Sequence, residues 1–160
     1  MGVAPGKYID TVIESLYDSL GGPAGCERNW DQMLTLFLPG AHIMRADVSD
    51  GDDPQSIVLG IKEFIASIVG VLDQKGFFGQ EIARRTEMSG NIANVFSTYE
   101  ARFDFDDQEP FRRGTNKIQL YHDGQRWWII NMLLDIERND EPPPKVSQSP
   151  IRQGDAKKII

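Results

Sequence analysis

The chain has 160 residues, 40% of them apolar and 26% charged, with a formal net charge of −7. That is enough for one domain with a sizeable core, and the acidic balance argues against nucleic-acid or anionic-membrane partners, because both are polyanions. No apolar run approaches the roughly 20 residues that cross a bilayer, no signal-peptide pattern opens the chain, and the single Cys26 has no internal disulfide partner, so a cytoplasmic protein is expected.

In chain order, "KYIDTVIESLYDSL" (7–20) predicts an amphipathic helix, with Tyr8, Ile9, Val12, Ile13, Leu16, Tyr17 and Leu20 on one stripe and Asp10, Glu14 and Asp18 opposite. Gly21-Gly22-Pro23 ends it. A shorter helix is expected around 28–36, then a strand at "AHIMRA" (41–46). The acidic stretch "DVSDGDDPQS" (47–56) has no phase that fits the calcium-loop pattern of alternating oxygen ligands, Gly and closing Glu, so it reads as a solvated loop and no metal is expected. "SIVLG" suggests a short edge strand, and "IKEFIASIVGVLDQ" (61–74) a third helix. The period then changes to two, and strands are expected at about 79–88, 91–105, 111–122 and 125–137, joined antiparallel by short connections. Beyond Arg138 the Pro-rich, polar residues 139–160 read as a tail outside the domain of residues 1–138, flexible or docking on a partner. Three helices followed by a meander predict an α+β fold with the helices on one face of the sheet.

The stretch "HDGQRWWIINMLLDIE" (122–137) carries the functional reading. Asp123-Gly124 suggests a two-residue hairpin turn. The register that follows puts Leu120 opposite Trp127, Ile118 opposite Ile129, Asn116 opposite Asn131 and Arg112 opposite Asp135 on one face. That face is apolar near the turn and polar at its far end, as suits a ligand cavity covered by helices. The other face carries Trp128, Ile130, Met132, Leu134 and Ile136, too much oil to leave in water, and a second copy is the natural cover.

"VFSTYEARFD" (95–104) and "FRRGTNKIQLYHDGQRWWII" (111–130), together with the order of elements, resemble the nuclear transport factor 2-like superfamily and, more narrowly, the SnoaL-like, polyketide-cyclase-like domains of bacteria, over roughly residues 7–138. The resemblance implies a cone-shaped, cystatin-like α+β domain: a curved antiparallel sheet with three N-terminal helices on its concave face, and frequently a homodimer through the sheet. Such domains include isomerases, dehydratases, hydrolases and cyclases as well as non-enzymatic binding domains, so fold alone does not fix activity. A pocket for a small, mostly apolar ligand without chemistry is expected first, an acid–base isomerase, dehydratase or cyclase second, and no cofactor.

Candidate residues follow from that geometry. His42 titrates near neutrality and would serve as a general base if it pointed into the cone; it would otherwise be a half-buried strand histidine. Asp135 is a rim ion pair if it faces Arg112, and the best catalytic carboxylate if it does not. Tyr99, in phase with Val95, Ser97 and Ala101, is expected to face inward, where its hydroxyl would donate to an oxyanion, leaving Glu100 outside. Asn116 and Asn131 would orient a ligand carbonyl or hydroxyl, with Arg112 beside them and Trp30 and Trp127 as pocket wall. One of Arg84 and Arg85 must face inward. Cys26, with no histidine near it in sequence, reads as an incidental thiol.

Overall fold

The computed structural model describes residues 6–47 and 55–136. The loop expected at 47–56 falls largely outside these residues, and the tail expected at 139–160 falls wholly outside them. Helix α1 (Ile9–Leu20) and the short α2 (Trp30–Leu34) lead into strands β1 (Phe37–Asp47) and β2 (Gln55–Gly60). Helix α3 (Ile61–Gln74) follows, then β3 (Phe78–Ser89), β4 (Ile92–Arg102), β5 (Arg112–His122) and β6 (Trp127–Ile136). The six strands form one curved, unclosed sheet in the order β2-β1-β6-β5-β4-β3. All neighbours are antiparallel except β1 and β6, which run parallel and join the N-terminal hairpin to the meander.

The period-two pattern is cleanest in β4, where Ala93, Val95, Ser97, Tyr99 and Ala101 are all buried and their neighbours are not. With Ile43, Ile118, Leu120, Ile129 and Met132 they make the concave face. Ile9, Val12, Ile13 and Leu16 of α1 and Ile61 and Phe64 of α3 pack onto it. Each such aliphatic burial stabilises by roughly 1.5–3 kcal/mol, which is why the helices lie on this side. Helix α1 stops at Gly21, and Gly22, at φ +144, pairs with Phe77 through two backbone hydrogen bonds of 2.8 and 2.9 Å, tying the helix end to the start of β3.

The β5–β6 register differs from the expected one in two steps. The turn is a four-residue loop, Asp123–Arg126, so that His122 pairs with Trp127 and Leu120 with Ile129. Its cause is Asp123: Oδ1 accepts from the backbone N–H of Gln125 (2.8 Å) and Arg126 (2.9 Å), and Oδ2 accepts from Trp128 Nε1 (2.9 Å). These bonds, led by the indole, pull the Asp123 pKa down to about 2. That shift of two positions preserves which residues share a face. The second step does not. Ile130 is an extra residue between the pairs Leu120–Ile129 and Gln119–Asn131, a β-bulge that reverses the phase of β6 beyond it. Met132 and Leu134 therefore turn into the core, and Asn131, Leu133 and Asp135 turn out.

Candidate functional site

The concave face carries one continuous chain of polar side chains. Asn116 Nδ2 donates to the Tyr17 hydroxyl at 3.2 Å, and the Tyr17 hydroxyl lies 2.7 Å from Ser97 Oγ. Ser97 Oγ donates to Glu81 Oε2. Because the serine's only proton points at the carboxylate, the Tyr17–Ser97 bond must run from tyrosine to serine. Glu81 is gripped from its other side by Arg84, whose Nε reaches Oε1 at 2.9 Å and Oε2 at 3.1 Å and whose Nη2 reaches Oε1 at 2.6 Å. Arg84 also pairs with Asp10 on α1. The chain thus runs from fully buried Ser97 to exposed Asp10, across the seam between α1 and β3. Every donor has an acceptor, as buried polar groups require. Burial pushes the Tyr17 phenol up to about 12, although the bonds to Ser97 and Asn116 work against it.

Glu81 and Arg84 reach the same face by a device that period-two counting misses. Glu81 pairs with Tyr99, but Ala83 pairs with Thr98, so Ile82 is an extra residue. The bulge brings both charges to the concave side, and Arg85 goes out, over the Phe96 ring at 5.1 Å.

Of the residues singled out from sequence, Tyr99 and Asn116 lie buried on the concave face. The Tyr99 phenol is raised by burial, with the Arg112 guanidinium opposing the rise through charge and a hydrogen bond. Its ring rests on Gly114, where a Cβ would meet the ring Cε1 and hydroxyl at 2.9 Å and the Asp135 carbonyl oxygen at 2.7 Å. Arg112 itself is exposed at the rim. Trp127 is buried at the opposite end, edge-on to His122 at 5.0 Å. Trp30 packs against the core from α2 and borders a surface cleft of about 510 Å³ with Glu27, Arg28, Asn29 and Asp31. Glu100 faces out, as expected, held between Arg102 and Arg113, and its carboxyl is lowered chiefly by Arg113.

Three expectations fail. His42 does not point into the cone: Ala41 and Ile43 take the buried phase of β1, and His42 is exposed on the convex face. Asn131 lies on the same convex face, directly across from His42, and donates to Gln119 at 3.1 Å rather than facing Asn116. Asp135 is exposed and stands opposite Thr115, not Arg112. Both β6 residues are displaced by the Ile130 bulge. The cone interior instead uses Tyr17, Ser97 and Glu81, whose signal in the sequence was a hydroxyl in an otherwise apolar helical stripe and a serine in the buried phase of a strand. Nothing in the spacing announced Glu81.

A second cleft, about 430 Å³, opens between β1 and the start of α3. Leu34, Phe37, Leu38, Ala41 and Ile61 give it apolar walls, and His42, Lys62 and Glu63 stand among its lining. Among the described residues no group of three His, Cys, Asp or Glu is placed to hold a metal ion, and no helix is long and apolar enough to cross a membrane.

Solved structures share this arrangement. A protein of unknown function from Nostoc punctiforme with a cystatin-like fold superposes with a TM-score of 0.62 at 12% identity, over 82% of this chain and 90% of its own. An NTF2-like protein of unknown function from Shewanella baltica does so with a TM-score of 0.52 at 17% identity, over 79% and 91%. The chain has the nuclear transport factor 2-like (NTF2-like) fold. A proposed ketosteroid isomerase from Shewanella frigidimarina also has this cone, with a TM-score of 0.52 at 13% identity over 78% of this chain and 91% of its own. No family model and no curated protein matches the sequence. Within the NTF2-like cone of this chain, the acid–base candidates His42 and Asp135 are outside, and the interior carboxylate Glu81 is enclosed by its own partners.

Proposed function

We propose that the chain is a cytoplasmic, non-catalytic NTF2-like domain that binds a small, mostly apolar ligand. The observation that carries this reading is the engagement of Glu81. Three donor groups, the Nε–H and Nη2–H of Arg84 and the Ser97 hydroxyl, engage both of its oxygens, and this holds the carboxylate in its charged form and sets it against any role as a base for substrate. The ligand site that fits is the cleft between β1 and α3, whose volume of about 430 Å³ lies within the range typical of small-molecule pockets and whose walls are chiefly apolar. Titration with the fluorescent probe 1-anilinonaphthalene-8-sulfonate tests it. One saturable site is expected, and Leu38→Arg, which puts a charge on the half-buried wall, should abolish it. Unchanged binding by a folded Leu38→Arg variant would remove the cleft from the reading.

The domain is proposed to work as a homodimer through the convex face. Val58, Met44, Leu133 and Phe96 lie in one row across that face, with Lys117 between the last two. Sedimentation of the native chain against Leu133→Arg checks this, and a native monomer at working concentration would end it.

The second reading, an acid–base isomerase, dehydratase or cyclase, is favoured by the likeness to the proposed ketosteroid isomerase and by Tyr17, whose neutral phenol would donate to an oxyanion once that oxyanion took the place of Ser97 as acceptor. It requires ligand entry to displace Arg84 from Glu81. Exchange of the α-protons of a cyclic enone in deuterated water, abolished by Glu81→Gln, would establish it in place of the first reading.

A further inference from the structure

The chain carries a net charge of −7, so the approach of two copies is opposed unless opposite charges meet where they touch. Most charges on the convex face are already matched within the chain. Arg85 pairs with Glu87 at 2.8 Å, and Glu100 pairs with Arg102 at 3.3 Å and with Arg113. Among the described residues of that face, Lys117 and Asp135 form no ion pair, with each other or with any neighbour. Lys117 is half-buried, its Nζ over the Phe96 ring at 5.4 Å, and Asp135 is exposed. They have opposite signs and stand on the adjacent strands β5 and β6.

The strand register joins these charges to the apolar row. Lys117 pairs with Leu133 and Thr115 with Asp135, so the charges occupy opposite corners of a rectangle whose other corners are Leu133 and Thr115. Its sides are the strand spacing, about 4.8 Å, and two residues of rise, about 7 Å. An isologous contact presents a patch to itself, so each charge must reach its opposite through the two-fold axis. When two sheets pack face to face, that axis lies in the plane between them. An axis exchanging Lys117 with Asp135 bisects the line between them and passes within about 2 Å of both Leu133 and Thr115. Met44, which pairs with Leu133 from β1, falls beside the same line. The axis that matches the two free charges therefore also sets half-buried Leu133 and Met44 against their own copies, where apolar surface is best covered.

We propose that, in the convex-face homodimer on which this rests, the two-fold axis runs along Thr115, Leu133 and Met44, and Lys117 of each protomer pairs with Asp135 of the partner subunit. Exposed pairs of this kind set orientation more than strength, so truncation to alanine does little and charge reversal is the test. Lys117→Glu and Asp135→Lys are compared with the native chain by sedimentation over a dilution series of the full-length protein. Each reversal occurs twice in a homodimer and sets like charges together, so dimerisation should weaken by about tenfold or more. An equimolar mixture of the two variants should dimerise to within about threefold of the native chain, because both contacts of the mixed pair join opposite charges; no effect confined to one chain produces that rescue. In a Cys26→Ser background, Leu133→Cys should couple to its own copy with the short thiol crosslinker dibromobimane. Asn94→Cys, on the same face but two strands from β6, should not. Reversals without effect, a mixture no tighter than its components, or an uncoupled Leu133→Cys in a native dimer would overturn this arrangement and leave the dimer reading standing. A native monomer would overturn both.

Discussion

Strands β3 and β6 each contain one extra residue, and the two bulges act in opposite senses. At Ile82 the bulge gathers charge: Glu81 and Arg84, three apart in sequence, reach the same concave face and close a salt bridge beneath α1. At Ile130 the bulge expels polarity: Asn131 and Asp135 leave the concave face, and Met132 and Leu134 replace them. The first builds a polar chain at the seam where α1 meets the sheet edge. The second keeps the middle of the cone apolar. A phase change of one residue costs little along a strand, yet it decides whether a carboxylate becomes buried chemistry or a solvated surface group.

Undoing what the Ile130 bulge achieves should have the largest effect. The double variant Met132→Asn, Leu134→Ala returns an amide to the concave face and removes two apolar side chains from it. Two lost aliphatic burials and one buried amide predict a loss of about 4 kcal/mol or more, read from the midpoint of urea unfolding. Next comes the polar chain that the other bulge builds. Glu81→Ala strands the Ser97 proton and the Arg84 guanidinium, and about 2–3 kcal/mol should be lost, whereas Asp135→Ala, on the solvated side, should change stability by less than about 0.5 kcal/mol. Equal losses from the two carboxylates would erase the contrast between the bulges.

The buried end of the polar chain makes the comparison sensitive to alkali. The Tyr17 phenol titrates near 10 when unfolded and at about 12 in the fold. Below pH 10 both states hold the proton, so stability is flat there. Between pH 10 and 12 the unfolded chain releases it first, and stability falls by up to about 1.4 kcal/mol per pH unit, on the order of 2–3 kcal/mol in all. Tyr99 adds to the decline in the same direction. Denaturant titrations at pH 9, 10.5 and 11.5 should therefore show a shallower decline in Tyr17→Phe than in the native chain, with part of the slope retained through Tyr99.

These contrasts also explain how far the sequence could be read. Helical periodicity placed α1 and α3, and alternation placed β3 to β6, because a repeated apolar spacing fixes a face many residues at a time. The buried phase of Tyr99 and Asn116 followed for the same reason, since no bulge interrupts β4 or β5 between the residues concerned. His42, open in the sequence between an inward base and a half-buried strand histidine, lies on the convex side because β1 begins at Phe37 and its pairing with β6 shifts before His42, around Pro39 and a Gly40 at φ +88. Asn131 and Asp135 were misplaced by Ile130, a residue whose type fits a regular strand as well as a bulge. Glu81 was missed through Ile82 in the same way. A bulge is set by long-range packing of the strand on either side of it, and isoleucine carries no local signal of one. The Asp123 loop was closer to legible: an aspartate can bond the backbone two and three residues on, and it is this bonding that lengthens the turn.

The smallest effects are expected where the expelled groups now lie. His42 and Asn131 face each other across the β1–β6 pairing on the convex side, and Asn131 keeps only one side-chain bond, to Gln119. Exposed His42 and half-buried Asn131, whose partner Gln119 is itself half-buried, lie outside the core, so His42→Ala and Asn131→Ala should each shift unfolding by no more than about 0.5 kcal/mol, and the double variant by no more than their sum. The same two variants should leave 1-anilinonaphthalene-8-sulfonate binding unequal. His42 lines the cleft between β1 and α3 and Asn131 does not, so a weakening of a fewfold is expected for the first alone. A substantial stability cost at Asn131 would mean that its amide is buried after all, either in a different β6 register or beneath the partner copy proposed for the convex face. Concentration dependence separates the two, because only the second makes the cost vanish as the protein is diluted.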